Sequence, residues 1–547
     1  MTDKMTRRDM IGLTGAGIGA TLLGGAGTSA WAAEGPALPR PTPAVADDDP
    51  LFSNSQFAFY SDRLESFDVY KGVYRSSDGK TITQDGAPDA IWKGSRPDKL
   101  HLRTPFPILD AAFALAVDEA LGCVAPAGTA SEFLGGGEPG SPYYHRYYYW
   151  THGRNIREYT RDTAQHVEWG DSVVIDRDTA AGTMLRRCDF ESKRIREDLV
   201  VTADNIHFIP AALQYYAITG DQAFLEQTWD CMWGEMSVKE NARKKEDGLW
   251  VGSPWTDNVS GFLSAEHFVN RNTQVKSLYA NCLVAGAWRA LGMIAGVLDK
   301  PAEQHLAEGK HRESVAAVNR ELYLPEHKTY CYYKYGDRPV DNHCEDISAG
   351  MMYLYGVADR QRTLAYHDRF AATPYGYRNL DPVTSAGETS YHGGNVWENQ
   401  EAYHGWMLAK LDRPDDLENF IFWHARAGLV IREWREGTIN PTTGQLHENY
   451  KRLVWGAMGY TSYWTRGVFG INYDLDGLRF DPCVPSSFGA DFHAELVNFA
   501  YRDASLKIIL EGTGTTVERI LVNGREVTHV PSDLKEENTV RIVMQRG

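Results

Sequence analysis

The sequence has few cysteines, and they are not clustered. Seven cysteines are spread over 547 residues without a Cys-x-x-Cys pair. An odd number of scattered cysteines argues against a disulfide framework, and their spacing fits no zinc template. The nearest run of metal-ligand types is His-Cys-Glu-Asp at 343–346, whose adjacent positions also fit none. We therefore expect reduced, buried thiols, no metal and no other cofactor.

Basic clusters are also missing. The chain has 56 Lys and Arg against 73 Asp and Glu, a net charge of −17, and no segment concentrates the positive residues. Binding to a phosphate backbone requires such a concentration. Nucleic acid is therefore excluded as a partner.

Long apolar runs are missing too, apart from a short one at the N-terminus. Arg7 and Arg8 precede a Gly-rich apolar run, Ile11 to Leu23, and Ala30-Trp31-Ala32 offers a small-x-small cleavage site. Residues 1–34 therefore resemble a twin-arginine signal peptide, which implies a periplasmic or secreted protein. No later stretch reaches eighteen apolar residues, so no membrane anchor is expected in the mature chain.

Composition and periodicity divide the rest of the chain into four parts. Residues 35–50 are a Pro- and Asp-rich linker, and 51–100 alternate between short strands and turns. Helical periodicity dominates 101–474. In 475–547 apolar and polar residues alternate with the period of two that is typical of strands, and Asn523-Gly524 predicts a hairpin. This part is therefore expected to be a small β-domain.

Twelve helices are predicted in the helical part. They are expected near 109–121, 162–170, 173–188, 204–218, 221–240, 273–297, 302–322, 346–355, 358–370, 396–411, 414–432 and 451–468. Tight turns with Gly, Asp or Pro alternate with long loops, which in compact domains are usually functional. The fold class we predict is mainly α: an (α/α)6 barrel of six helical hairpins, with a short N-terminal β region and a small C-terminal β-domain.

Aromatic and acidic residues are abundant, and they recur together where loops enter helices. The chain has 15 Trp, 29 Tyr and 20 Phe. Asp162, Asp204, Asp257 and Glu398 each stand at such a junction, and Trp255 and Trp397 accompany the last two. A single Asp at the start of a helix is often no more than an N-cap. Recurrence with tryptophan instead favours a sugar pocket, because glycosidic cleavage needs paired carboxylates.

These junctions resemble those of the six-hairpin glycosidases, which include glycoside hydrolase family 63, the bacterial α-L-rhamnosidases and the cellobiose-phosphorylase group. The run 159–163 (Tyr-Thr-Arg-Asp-Thr) looks like their substrate-binding Arg-Asp motif. The run 248–258 resembles the loop that carries the general acid, which would be Asp257. The run 477–485 is similar to the entry into their C-terminal β-domain.

The resemblance also suggests a general base. The runs 440–444 (Asn-Pro-Thr-Thr-Gly) and 447–450 (His-Glu-Asn-Tyr) resemble the loop that carries it, which makes the base Glu448. In family 63 the Asn-Pro-x-Thr-Gly run usually follows the glutamate, whereas here it precedes it. Glu398 is therefore the alternative base, in a segment that contacts sugar in the phosphorylase group.

Further residues are predicted to contact the substrate. The aromatic run 143–150 is either a packing cluster at the barrel rim or a sugar-stacking wall. His207 and His404 could bond sugar hydroxyls. The predicted contacts are Arg161, Asp162, Asp204, Trp255, Trp397, Glu398, His404, Trp455, Tyr149 and Trp150.

The leading functional hypothesis is an exported, exo-acting and inverting glycoside hydrolase acting on a carbohydrate substrate. Asp257 would donate the proton and Glu448 would activate water. A glycoside phosphorylase is an alternative that the export signal disfavours. A polysaccharide lyase on the same toroid would use Tyr and His, and a non-catalytic carbohydrate-binding protein is the third alternative.

Overall fold

A computed structural model describes the chain in ten segments: residues 49–126, 148–151, 159–196, 203–244, 246–252, 275–340, 343–382, 394–435, 438–447 and 452–545. The predicted signal peptide, residues 1–34, lies outside them, as does nearly all of the predicted linker. The export route and the domain boundaries stay predictions.

Thirteen α-helices lie in the described residues. They are α1 (Pro107–Leu121), α2 (Thr160–Trp169), α3 (Asp171–Ile175), α4 (Arg177–Arg186), α5 (Phe208–Thr219), α6 (Gln222–Lys239), α7 (Leu278–Val297), α8 (Pro301–Glu321), α9 (Asp346–Leu354), α10 (Arg360–His367), α11 (Glu398–Lys410), α12 (Pro414–Ile431) and α13 (Val454–Ser462). A π-helical turn, Tyr463–Val468, continues α13, and 3₁₀ turns occur at Asp204–His207, Glu240–Ala242 and Ser486–Phe488. Every one of the twelve predicted helices is confirmed. The third is split into α3 and α4.

The local signals that end and begin these helices act as predicted. Gly220 closes α5 in the left-handed conformation, with φ 74°, and the Asp221 carboxylate caps α6 by accepting from the Phe224 N–H at 3.0 Å. Pro301 and Pro414 are the first residues of α8 and α12. The turns therefore follow from residues within the turns themselves.

Six helices contact one another in a closed cycle. Around it, α2 packs on α5, α5 on α7, α7 on α9, α9 on α11, α11 on α13, and α13 on α2. The helices α1, α4, α6, α8, α10 and α12 pack against members of the cycle. All ten residues of α2 are buried, whereas only four of the 21 in α8 are, as expected for a central and a peripheral helix.

The central helix α7 has the length and apolar composition of a membrane span, and within the described residues it is the one helix that does. Its most apolar window has a mean hydropathy of 1.3. That window is 78% buried inside the protein, which is typical of a core helix.

Strands before α1 form an N-terminal antiparallel sheet. Its order is β1 (Phe52–Ser53), β2 (Phe57–Phe59), β3 (Arg63–Ser66), β4 (Gly72–Arg75), β5 (Thr81–Gln84) and β6 (Trp92–Lys93). Phe52 stacks on Phe422 of α12, with ring centroids 4.8 Å apart. The sheet therefore shares one hydrophobic core with the helices.

Short strands pair where loops meet helices. The pairs are β8 (Val124–Ala125) with β9 (Tyr149–Trp150), β10 (Cys188–Asp189) with β11 (Arg194–Ile195), β13 (Tyr323–Leu324) with β14 (Thr329–Tyr330), β17 (Cys344–Glu345) with β20 (Leu380–Asp381), β18 (Ala372–Thr373) with β19 (Gly376–Tyr377), and β21 (Val396–Trp397) with β22 (Thr438–Ile439). A three-stranded sheet joins β12 (Val275–Ser277), β15 (Tyr333–Tyr335) and β16 (Arg338–Val340).

The C-terminal residues form two sheets. The first contains β23 (Ile471–Asp474), β24 (Gly477–Phe480) and β29 (Val530–Pro531). The second has the order β28 (Arg525–Val527), β27 (Val517–Val522), β30 (Lys535–Met544), β26 (Asp503–Glu511), β25 (His493–Tyr501) and β7 (His101–Arg103). The predicted hairpin at Asn523-Gly524 is confirmed, with φ 50° and 81° at its two turn residues.

The second of these sheets contacts the C-terminal end of the central helix α5. The Arg502 N–H donates to the Ile218 carbonyl in the last turn of α5, at 2.8 Å. Gly220, the C-cap of α5, lies against the Arg502 guanidinium. This sheet therefore covers the end of α5 that lies opposite its N-terminal 3₁₀ turn.

All seven cysteine thiols are buried and free. Within the described segments, no group of three or more His, Cys, Asp or Glu residues has metal-binding geometry.

Candidate active site

Several predicted sugar-contacting residues lie at the N-terminal ends of the central helices. Arg161 and Asp162 are in the first turn of α2, and Asp204 begins the 3₁₀ turn before α5. Glu398 is the first residue of α11, and Trp455 is the second residue of α13. A helix N-terminus carries partial positive charge, which favours the carboxylates of Asp162, Asp204 and Glu398 at these positions.

Arg161 joins three of these helix ends. Its Nε donates to Asp162 Oδ1 at 2.7 Å, and one terminal nitrogen donates to Asp204 Oδ2 at 3.4 Å. The guanidinium carbon lies 5.3 Å from the centre of the Trp455 ring, a cation–π distance. Only 5% of Arg161 is exposed. The residues predicted for α2, α5 and α13 therefore form one buried charged cluster.

Capping does not account for the two aspartates. The residue at the N-cap of α2 is Tyr159, and the one before the 3₁₀ turn is Ala203, neither of which makes a side-chain cap. Asp162 and Asp204 instead bind Arg161. N-capping is therefore not the role of either aspartate.

Tyr279 and His207 extend the cluster deeper into the protein. The Tyr279 hydroxyl donates to Asp204 Oδ1 at 3.1 Å and lies 2.8 Å from His207 Nε2. Burial, followed by the charge of Arg161, lowers the pKa of His207 to about 3, so its ring is neutral. Gln165 contacts the same nitrogen at 3.1 Å. Sequence analysis missed Tyr279 and Gln165, although Tyr279 stands near the start of a predicted helix.

Glu398 lies beside the cluster, between α11 and α13. Only 2% of it is exposed, and its Oε1 accepts no hydrogen bond in the described part of the chain. Its Oε2 lies next to Gly456, because a Cβ built on that glycine would be 3.2 Å away. Burying a carboxylate oxygen without a donor is costly. His424 Nδ1 lies 3.7 Å from Oε1, so Oε2, beside Gly456, is the oxygen better suited to a ligand hydroxyl.

Asn399 and Gln400 add four more buried polar atoms without partners among the described residues. Neither side chain is exposed. Asn399 precedes Tyr403 by one helical turn, and residues four apart share a helix face. Tyr403 reaches Glu168 on α2, so this face of α11 points into the cycle. Asn399 supplies both a donor and an acceptor there, which is the combination that sugar hydroxyls need.

Glu168 forms the deeper part of this interior. It accepts hydrogen bonds from the hydroxyls of Tyr355, at 2.9 Å, and Tyr403, at 2.6 Å. Burial raises the pKa of Glu168 to about 7, although both hydroxyls and Arg466 favour the charged form. A polar interior connected across α2, α9 and α11 therefore lies below the N-terminal cluster.

His404 is not placed to bond a sugar hydroxyl, contrary to the prediction. Its Nδ1 lies 2.5 Å from Asp346 Oδ1, and its Nε2 lies 2.8 Å from His367 Nδ1. Its ring stacks on Tyr377 at 5.3 Å. Both nitrogens are already occupied within the protein, so His404 has a structural role.

Two predicted tryptophans belong to the hydrophobic core. Trp150 and Trp397 are fully buried. Trp150 packs edge-on against His166, with ring centroids 5.9 Å apart, and Trp397 lies in β21. Neither presents a ring face for sugar stacking, which corrects the prediction. Trp455 is equally buried and supports the Arg161 guanidinium.

The two predicted catalytic residues, Asp257 and Glu448, lie outside the described residues, as does Trp255. The backbone of Tyr149 is described in β9, but its side chain is not. The residues just before Glu448 are described: β22 pairs with β21, which runs directly into Glu398. In the turn after β22, the Asn440 side chain accepts from the Thr442 N–H at 2.9 Å.

No protein-family model and no curated protein matches the chain. Solved structures do match its fold. A sialidase superimposes with a TM-score of 0.59 at 14% identity, over 79% of this chain and 40% of the sialidase chain. A GH78 family rhamnosidase of Bacillus sp. GL1 gives 0.54 at 13% identity, over 85% and 47%. A GH63 mannosylglycerate hydrolase from Thermus thermophilus gives 0.48 at 12% identity, over 65% and 100%.

This chain spans less than half the length of the sialidase and rhamnosidase chains that it matches. At such low identity, the similarity concerns the fold alone. The sequence resemblance to six-hairpin glycosidases is confirmed at that level: the chain has a six-hairpin glycosidase-like fold.

Proposed function

We propose that this protein is an exported glycoside hydrolase whose substrate binds at the N-terminal ends of the six central helices. The proposal includes an (α/α)6 barrel for the closed helical cycle, with its pocket at that end. One observation carries it: the buried cluster of Arg161, Asp162 and Asp204, beside the buried carboxylate of Glu398.

The cluster has the chemistry for binding a sugar. Arg161 can only donate hydrogen bonds, the aspartates can only accept them when ionised, and Asn399 does both. A ring of hydroxyls presents donors and acceptors on neighbouring atoms. The sialidase and rhamnosidase folds support a carbohydrate ligand of this kind, and the acidic charge of the chain is compatible with a neutral one.

The proposed reaction is exo-acting hydrolysis with inversion. Asp257 protonates the leaving oxygen, and Glu448 removes a proton from the attacking water. Inversion needs the two carboxyl groups about 6.5–9.5 Å apart, with room for that water. Glu398 is the sugar-contacting carboxylate in this scheme and the alternative base.

A screen of aryl glycosides and oligosaccharides tests the proposal. α-L-Rhamnosides and sialosides belong in it because of the two similar folds. For a substrate that the wild type cleaves, Asp257→Asn and Glu448→Gln should each reduce kcat by about a thousandfold or more. The exposed carboxylates Asp178 and Glu526 provide matched controls, since Asp178→Asn and Glu526→Gln should leave the rate unchanged. If Glu398→Gln abolishes turnover and Glu448→Gln does not, the base assignment is wrong.

One contact favours a second candidate. Tyr279 and His207 lie 2.8 Å apart beside Arg161, and a polysaccharide lyase would use such a pair to abstract a proton from a uronate that an arginine neutralises. A rise in ultraviolet absorbance from an unsaturated product, lost in Tyr279→Phe, would favour the lyase. Release of only saturated sugars, without a rise in ultraviolet absorbance, would favour hydrolysis.

A further inference from the structure

A histidine of the peripheral helix α12 bridges two glutamates of the central helix α11. His424 Nε2 lies 2.6 Å from Glu401 Oε2, and His424 Nδ1 lies 3.7 Å from Glu398 Oε1. Neither Nδ1 nor Oε1 has a hydrogen-bond partner among the described residues. His424 and Glu401 are fully buried. These two otherwise unpartnered atoms face each other beside the candidate site.

Bridging two carboxylates requires the charged ring. A neutral imidazole has one N–H and can donate to one acid, whereas an imidazolium donates from both nitrogens. Burial opposes protonation of His424, but Glu401 and Glu398 outweigh it and raise the pKa of His424 to about 9. The ring is therefore an imidazolium at neutral pH.

Other groups around His424 are consistent with this state. The Tyr463 ring, from the π-helical turn, lies 5.2 Å away and stays neutral, because burial raises the pKa of Tyr463 well above its usual value. Asp346 of α9 is another nearby carboxyl, and burial raises the pKa of Asp346 well above its usual value, although the charge of His424 opposes this shift. The second oxygen of Glu401 accepts from the Tyr377 N–H at 2.6 Å, which fixes the far end of the bridge.

We propose that His424 and Glu401 are positioning residues that fix the orientation of the Glu398 carboxylate in the sugar site. The catalytic consequence of this proposal rests on the proposed function. The bridge itself rests on the contacts alone. His424 faces Oε1 of Glu398, while Oε2 lies beside Gly456 of α13. One oxygen would then be fixed by the protein and the other would be presented to a sugar hydroxyl.

The bridge can be tested without a substrate. A histidine with a raised pKa stabilises the fold fully below its unfolded pKa of about 6.5, and that stabilisation is lost as the pH rises through about 9. The difference between wild type and His424→Gln in urea midpoint should therefore shrink between about pH 7 and pH 10. Glu401→Gln should lower the pH at which this stabilisation is lost. It also provides an independent test of the bridge if His424→Gln does not fold.

His367→Gln is the matched control. His367 is a mostly buried histidine on the peripheral helix α10, and it also contacts a side chain of α11, but its partner is His404 rather than Glu398. Its midpoint difference from wild type should not shrink over the same pH range. A pH dependence of His424→Gln equal to that of the wild type would overturn the bridge.

Kinetics test the positioning role on a substrate found in the screen. His424→Gln should reduce kcat by about a hundredfold while KM changes little, since the carboxylate is still present but misdirected. His367→Gln should stay within about twofold of the wild type. A wild-type kcat in His424→Gln would overturn the positioning role. If the wild type cleaves no glycoside, the proposed function fails. The coupling of Glu398 and His424 is still tested by whether the shifts in urea midpoint caused by Glu398→Gln and His424→Gln add up in the double variant.

Discussion

Arg161 is the residue on which the candidate site depends most. It lies between the buried carboxylates of Asp162 and Asp204 and contacts both. Its guanidinium also covers Trp455. The same side chain is therefore expected to contribute both to substrate binding and to the stability of the fold.

Replacing Arg161 with Gln should destabilise the protein by about 3–5 kcal/mol, because two buried carboxylates lose a cationic partner. Chemical unfolding measures the loss. The double variant Arg161→Gln/Asp204→Asn should be more stable than Arg161→Gln alone, since it also removes one of the two buried charges that Arg161 contacts. Equal stability of wild type and Arg161→Gln would show that the cluster is not a buried ion network.

Glu168 should give the fold a measurable pH dependence. Its pKa is raised from 4.5 to about 7, so the stability linked to its neutral form is complete below about pH 4.5 and is lost as the pH rises through 7. Glu168→Gln removes this titration. The variant should gain about 3 kcal/mol relative to the wild type between pH 4.5 and pH 8, in unfolding free energies measured at each pH.

An exposed glutamate provides the comparison for that titration. Glu308→Gln, on the surface of α8, should follow the wild type at every pH. The same pH profile in the wild type and in Glu168→Gln would contradict the buried, protonated state of Glu168.

At the scale of elements, sequence predicted the helices well because their signals are local. Periodicity within one helix, together with Gly220, Pro301 and Pro414 at the turns, requires no knowledge of distant residues. The helical cycle was predicted only by counting hairpins and by resemblance.

The partners of side chains could not be predicted in that way. His404 was expected at the sugar because it follows Glu398 along the helix, but it faces Asp346, 58 residues earlier in the chain. Tyr403 meets Glu168 over a separation of 235 residues. Such pairs depend on how helices pack, which no local pattern encodes.

Close packing of α9 on α11 depends on Gly350. A Cβ at this position would lie 2.5 Å from the backbone of Tyr403, so the two helices would have to separate. Gly350→Ala should therefore destabilise the fold by about 1–3 kcal/mol despite the better helix propensity of alanine. Thermal unfolding compares it with the wild type.

Gly309 is the matched control, in the middle of α8. A Cβ there would meet nothing within 4 Å. Gly309→Ala should stabilise the protein by about 0.5–1 kcal/mol, through helix propensity alone. Stabilisation of similar size in both variants would contradict the close approach of α9 and α11.

At the scale of the whole molecule, the C-terminal strands are part of the main fold. The strand β25 pairs with β7, which lies just before α1, in a register that places Leu496 opposite Leu102. Phe492 packs near Phe106, with ring centroids 6.0 Å apart. These contacts join residues almost 400 positions apart.

A chain that ends at Asp474 should therefore lose cooperative unfolding. It would lack the partner of β7 and would expose Phe106 and neighbouring apolar residues. Circular dichroism during thermal unfolding measures the cooperativity. A truncated chain with the same sharp transition as the full chain would show that the C-terminal sheets are an independent addition.

The aromatic and acidic composition has more than one role. Trp150, Trp397 and Trp434 are fully buried core residues, so part of the aromatic excess serves packing. The carboxylates of Asp162, Asp204 and Glu398 do gather at one end of the helical cycle. That gathering, rather than the overall composition, supports sugar binding.

The central claim is that the chain hydrolyses a glycosidic bond at this end of the cycle. The most direct measurement is proton NMR of the first sugar anomer released from a glycoside, by wild type and by Asp257→Asn. We expect the wild type to release the anomer opposite to that of the substrate, and Asp257→Asn to release it at least about a thousandfold more slowly. Turnover of no glycoside by the wild type, or wild-type rates in Asp257→Asn, would contradict the account.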